Sequence, residues 1–271
     1  MDQQNLKKIR HVALDMDGTI YSGSTLFPFT KSFLAQLEEL GIGYTFFTNN
    51  SSKSVRDYLA HLGGFGMEIR EEQMYTSTLS TIAYLRREYP DQNRAFILGT
   101  ESMRTEFEEA GFIFDDENPE LVIVGFDPEL DYHQMCRAGY WIAEGKPFIA
   151  THPDRICPTD QPTLLIDCGA VCAALTSATG REPDAVLGKP HRIMMEEILR
   201  KHQLQPDELA VAGDRIYTDV AMAHEVGATG VLVLTGECTR EEGEAADPRP
   251  HFIFESLENL GEHLAGAQTV G

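Results

Sequence analysis

HVALDMDGTIY, residues 11–21, decides how the rest of the chain is read. A short β-prone run from His11 ends on Asp15, and Asp17 follows two positions later, so both carboxylates lie near one face if the extension persists. Gly18 then permits the tight turn that must follow a strand end. Taken alone, the Asp-Gly pair fits an ordinary solvated turn equally well.

Working outward, short apolar runs alternate with helical patterns. A helix is expected over 29–41, a strand over 44–50 and a helix over 54–63. Towards the other end, AVLG (185–188), a helix over 191–203, LAVAGD (209–214), a helix over 219–227 and GVLVLTG (230–236) repeat the pattern. Continuous apolar strands between amphipathic helices indicate a parallel sheet covered on both faces. The middle has its own alternation: strands at 95–99, 121–126 and 147–152, with helices at 102–111 and 132–145. It reads as a second α/β unit inserted into the first.

Open parallel sheets bind ligands at the carboxyl ends of their strands. Those ends carry Asp15, Thr48, Gly188–Lys189 and Asp214, and the fold class therefore expects them in one crevice. Each has a plain structural explanation. The serines after Asn50 are good helix caps, Lys189 could snorkel to the surface, and Asp219 suits the first turn of a helix. Together these explanations weaken, because the four ends carry the parts needed for phosphoryl transfer. Asp15 and Asp214 offer oxygen ligands to a hard cation. That cation and Lys189 would offset the charge of a phosphoryl group.

Composition sets limits. The 271 residues are 42% hydrophobic and 24% charged, ordinary for a soluble globular chain, and the formal charge of −21 disfavours nucleic acid and anionic membrane surfaces. There is no spanning apolar run or secretory core, so the expected compartment is the cytoplasm. Five cysteines, an odd number in a long chain, argue against a disulfide scaffold; Cys168 and Cys172 could share a helix face and read as buried small residues.

DMDGT (15–19), FTNNSS (47–52), LGKP (187–190) and GDRIYTD (213–219), in this order, resemble the haloacid dehalogenase-like (HAD) hydrolase superfamily, in particular its NagD-type, p-nitrophenyl-phosphatase-like branch (subfamily IIA). The resemblance spans essentially the whole chain. It implies a Rossmann-like, doubly wound α/β core over 1–81 and 182–271, with an inserted α/β cap of the C2 type over 82–181. It also implies a Mg2+-dependent phosphatase of small phosphorylated metabolites: nucleotides, sugar phosphates or phosphoglycolate.

In that reading Asp15 is the nucleophile, and Asp17 is the proton donor and then the base. Asp15, the Asp17 carbonyl and Asp214 hold Mg2+, with Asp219 behind them. Thr48, Asn49, Asn50 and Lys189 hold the phosphoryl oxygens. IATHPDRICP (149–158) resembles the branch's ATNPD stretch with His152 in place of Asn, and LLIDCGA (164–170) puts Asp167 where the branch has a small Pro/Gly-rich sequence. Asp154, Arg155 and Asp167 are therefore the specificity candidates. A homodimer is left open. The rival readings are a phosphomutase of the same superfamily and a catalytically silent phospho-ligand sensor. A receiver domain lacks the second carboxylate, and a dinucleotide oxidoreductase needs GxGxxG, absent after this first strand.

Overall fold

In the computed structural model, which describes residues 4–159 and 161–269, the strand His11–Leu14 is buried at every position. Residues 1–3 and 270–271, the ends of the expected core, and residue 160 of the expected cap lie outside that description. His11–Leu14 pairs in parallel with Leu209–Gly213 on one side and with Gly43–Thr48 on the other, His11 facing Leu209 and Gly43. The full sheet runs Phe252–Phe254, Thr229–Val233, Leu209–Gly213, His11–Leu14, Gly43–Thr48, Met74–Thr76. Its two central strands, His11–Leu14 and Leu209–Gly213, are buried at every position, as in parallel sheets with helices on both faces. Helix Thr30–Glu39 buries Thr30, Phe33, Leu34 and Leu37, the i, i+3, i+4, i+7 stripe of an amphipathic helix. Helix Leu257–Thr269 packs against it, and Gly261 makes that approach close, since a Cβ there would run into Gln36 and Phe33.

A second sheet, also parallel, runs Ala185–Val186, Phe148–Ala150, Leu121–Val124, Arg94–Leu98, Ile113–Phe114. Phe96, Val122, Trp141, Ile142, Phe148 and Leu175 form its core. Helix Cys168–Thr179 supplies part of that core through Cys168, Val171, Cys172 and Leu175, so the two cysteines do share a buried helix face. No helix of the described residues is long and apolar enough to cross a membrane.

One expectation changes here. AVLG does not extend the first sheet: Ala185 and Val186 pair with Ile149 and Ala150, and Lys189 therefore follows a strand of the second sheet. By internal contacts the described residues divide into two compact units: one holds the chain up to Phe47, Leu62–Met74 and the chain from Pro190 on, the other Thr48–His61 and Tyr75–Lys189. Within the second unit Ser77 Oγ donates to Asn49 O at 2.5 Å and Val55 N to Glu106 Oε1 at 2.7 Å.

His11 sets an acid limit on stability. Its ring stacks on His202 at 4.1 Å between centroids and lies 2.9 Å from Thr45 Oγ1. Burial, then the charges of His202 and Lys201, push its pKa down to about 3. The unfolded chain protonates this imidazole at its ordinary value, the folded chain only much lower. The contribution is thus complete above pH ~6.5 and is lost as pH falls towards 3, on the order of a few kcal/mol. Melting curves from pH 7 to 4 should fall more steeply for the wild type than for His11→Gln; parallel falls would count against this assignment.

Candidate active site

Asp15 follows the central strand directly, and its backbone N–H continues the ladder by donating to Ala212 O at 2.9 Å. Asp214 holds the same position after the neighbouring strand Leu209–Gly213. Asp219 comes from the turn between them and the next helix. There Ile216–Val220 forms a π-helical turn, a feature common at functional sites, and Val220 N reaches back to Arg215 O at 3.3 Å. The result is three buried carboxylates, Asp15, Asp214 and Asp219, with ligand atoms all within 4.8 Å of one another.

The space around them is kept by glycines. Gly18 adopts φ +81°, and a Cβ on it would press on the Asp214 carboxylate. A Cβ on Gly213 would collide with Asp219, and one on Gly236 with Asp214. Asp214 Oδ2 accepts the Glu237 N–H at 2.8 Å, but its buried Oδ1 has no hydrogen-bond partner among the described residues. Thr19 Oγ1 donates to Asp15 Oδ2 at 3.4 Å, and Arg215 N donates to Asp219 Oδ2 at 3.1 Å. Burial, then the negative charges of Asp15 and Asp219, push Asp214 up to about 7. A divalent cation fits this set: it would take the orphaned oxygen and neutralise carboxylates that otherwise repel one another.

Asp17 stands apart from the trio. Its side chain is exposed, and Oδ1 accepts the Gly23 N–H at 3.1 Å. Gly18 N donates to Tyr21 O at 2.8 Å and Gly18 O accepts from Thr235 Oγ1 at 2.6 Å, which pins the turn. Thr235, Gly236 and Glu237 were missed from sequence, although they follow the strand Thr229–Val233 and the strand-end rule that found Asp15 applies equally to them.

The second unit holds the other candidates. Thr48 Oγ1 accepts the Asn50 N–H at 3.2 Å, and Asn50 Oδ1 accepts from Ser52 N at 2.9 Å and Ser52 Oγ at 2.7 Å. Lys189 is buried, and its N–H donates to Asn49 Oδ1 at 2.6 Å. Asn49 Nδ2 donates to Lys189 O at 3.3 Å and to Asp154 Oδ2 at 3.1 Å. Arg155 is exposed, whereas Asp167 is buried and its Oδ1 caps helix Cys168–Thr179 by accepting Cys168 N–H at 2.6 Å.

A family model described as haloacid dehalogenase-like hydrolase matches residues 12–113, and an HAD-hydrolase-like model matches residues 186–260. Ribonucleotide monophosphatase NagD of Escherichia coli K12 is 30% identical over 252 residues, covering 93% of this chain and 98% of its own length. The chain belongs to the haloacid dehalogenase-like hydrolases, in their NagD-type branch. This hydrolase is also similar to 4-nitrophenylphosphatase of Thermotoga maritima, with TM-score 0.91 and 38% identity over 95% of this chain and 98% of that one. Glycerol phosphate phosphatase of Mycobacterium tuberculosis, solved in complex with magnesium, superposes with TM-score 0.87 and 28% identity over 96% of this chain and 77% of that one. Two further relatives bear the names 5'-nucleotidase (Bacillus subtilis, 31% identical) and acid sugar phosphatase (Staphylococcus haemolyticus, 30% identical), with 93% of this chain covered in each.

Proposed function

We infer that this chain is a phosphoric monoester hydrolase that removes phosphate from small phosphorylated compounds, and that it does so through Asp15. The observation that carries the site assignment is the trio Asp15, Asp214 and Asp219, with the unpartnered Asp214 Oδ1 among them. Asp15, Asp214 and the Asp17 carbonyl would hold Mg2+, and Asp219 would steady them. The ion supplies charge neutralisation and Lewis-acid polarisation of the phosphoryl oxygens.

The chain's own groups do the rest. Thr48, Asn49, Asn50 and Lys189 bind and orient the phosphoryl oxygens. The Asp15 carboxylate attacks phosphorus and the ester P–O bond breaks, while the Asp17 carboxyl gives its proton to the leaving oxygen. Asp17, now a carboxylate, takes a proton from water. That water attacks phosphorus, and the Asp15–phosphate bond breaks to release phosphate. The inserted segment, expected over 82–181 and continuing through its sheet to Val186, is the cap in this reading. It excludes water and selects the leaving group, with Asp154, Arg155 and Asp167 as candidates for that selection.

A panel of nucleoside monophosphates, sugar phosphates and phosphoglycolate, assayed for inorganic phosphate with Mg2+ present, tests the activity. EDTA is expected to abolish turnover and Mg2+ to restore it; turnover surviving chelation would refute the metal role. A phosphomutase would consume substrate with little phosphate release.

Stability gives a second measure of the metal. Without the ion, Asp214 ionises near pH 7 in the folded chain but at its ordinary, lower value when unfolded. Its stabilising contribution is present below the unfolded value and lost as pH rises through 7. Mg2+ should therefore raise the melting temperature more at pH 8 than at pH 5.5, by about 2.7 kcal/mol in stability at a hundredfold excess over Kd. Asp214→Asn should remove both the slope and the shift. An undiminished Mg2+ shift in that variant would place the ion elsewhere.

A further inference from the structure

His152 is fully buried just past the strand Phe148–Ala150, and oxygen atoms flank both of its ring nitrogens. Asp154 Oδ2 lies 3.6 Å from Nδ1, an ion-pair separation slightly beyond a formed hydrogen bond. Asp167 Oδ1 lies 3.4 Å from Nε2, and Ser51 Oγ is also 3.4 Å from Nε2. A neutral imidazole would turn a lone pair towards one of these carboxylates. A ring protonated at both nitrogens offers a proton to each.

The same three residues have donor atoms within 4.8 Å of one another, as a metal site would. The carboxylates lie off different ring nitrogens, however, and a metal ion can take only one nitrogen of the ring. The charge that balances them is the ring's own. Burial opposes that charge, but Cys168, Asp154 and Asp167 outweigh it and raise the imidazole to about 9. Asp154 responds in kind: burial works against its ionisation, yet His152, then the Asn49 amide and Lys189, hold it below its ordinary range.

From this ion pair a chain of contacts leads to the LGKP turn. A carboxylate only accepts, so Asp154 fixes which end of the Asn49 amide faces it. With Nδ2 towards Asp154, Oδ1 is left to accept the Lys189 N–H at 2.6 Å. There is also direct packing. Gly188 adopts φ +68°, and a Cβ on it would come within 2.7 Å of both Asn49 Oδ1 and the His152 Cβ. His152 thus lies against the glycine that precedes Lys189.

We propose that His152 acts as a buried imidazolium that positions Lys189, through Asp154 and the Asn49 amide and through its packing against Gly188. This rests on the reading that Lys189 holds the phosphoryl group. His152 is a positioning residue and meets no reacting atom.

Imidazole 15N NMR on the intact protein reads the charge independently of activity. His152 is expected to be protonated at both nitrogens at pH 7.5, and to lose a proton at lower pH in Asp154→Asn than in the wild type. His152→Leu should lower kcat about 10- to 100-fold with a smaller change in KM, and adding Asp154→Asn should cost little more. His152→Gln, a polar neutral replacement, should fold as the wild type does and show the same loss. A neutral wild-type imidazole at pH 7.5, or a well-folded His152→Gln with wild-type kcat, overturns the proposal. If Lys189→Met keeps wild-type kcat, the role given to Lys189 is wrong and the proposal falls with it, even though the NMR result would still stand. If the wild type releases no phosphate from any ester, the phosphatase reading itself has failed.

Discussion

Asp15→Asn is expected to lower kcat for p-nitrophenyl phosphate by about 10³-fold or more, without unfolding the protein. The carboxamide has nearly the shape of the carboxylate but neither attacks phosphorus nor carries the charge that a divalent ion needs. The backbone contact of this residue, its N–H to Ala212 O, is untouched. The stability change has the opposite sign to the activity change. Asp15 and Asp219 both push Asp214 towards protonation, so removing one charge relieves repulsion among three buried carboxylates. Metal-free Asp15→Asn should therefore melt at or above the wild-type temperature at pH 8. Single turnover in 18O-labelled water checks the chemistry of the wild type: label should enter phosphate and not the Asp15 carboxylate. A variant retaining a tenth of wild-type turnover would point to another nucleophile.

The pairing of Asp15 with Asp214 was legible because one rule of sheet architecture applies to it directly. Asp15 and Asp214 each follow a strand of the same parallel sheet, and parallel neighbours end side by side. Lys189 shows where that rule runs out. AVLG reads as a strand before a helix, but alternation in sequence does not say which sheet a strand joins. Pairing with Ile149 and Ala150 decided it. Helix Cys168–Thr179 was legible only in the four-residue spacing of Cys168 and Cys172, because CGAVCAALTSAT has little contrast between its faces. His152 was read only as a departure from a motif. Its charge comes from Asp154, two residues on, and from Asp167 and Cys168 in a segment brought back by the hairpin Ile156–Cys157/Leu165–Ile166. Likewise, the sequence marked Asp219 as a helix-terminal acid but gave no hint of the π-helical turn that carries it.

Asp17→Asn separates the two proton transfers that a single residue is asked to perform. For an alkyl ester such as a sugar phosphate, the leaving oxygen needs a proton as the P–O bond breaks, and turnover should fall about 10²- to 10⁴-fold. p-Nitrophenolate leaves readily without that proton, so the first step should be much less affected for p-nitrophenyl phosphate. The second step has no such escape, because the attacking water has lost its base. Rapid mixing should then give a burst of close to one nitrophenol per enzyme followed by slow turnover, with phosphorylated Asp15 recoverable after acid quench. The exposed position of the Asp17 side chain agrees with a group that must meet both ester and water. Its contact with the Gly23 N–H supplies the competing explanation, that Asp17 only shapes the turn. A shaping role would slow aryl and alkyl esters by the same factor and leave no burst, and that outcome would remove Asp17 from the proton transfers.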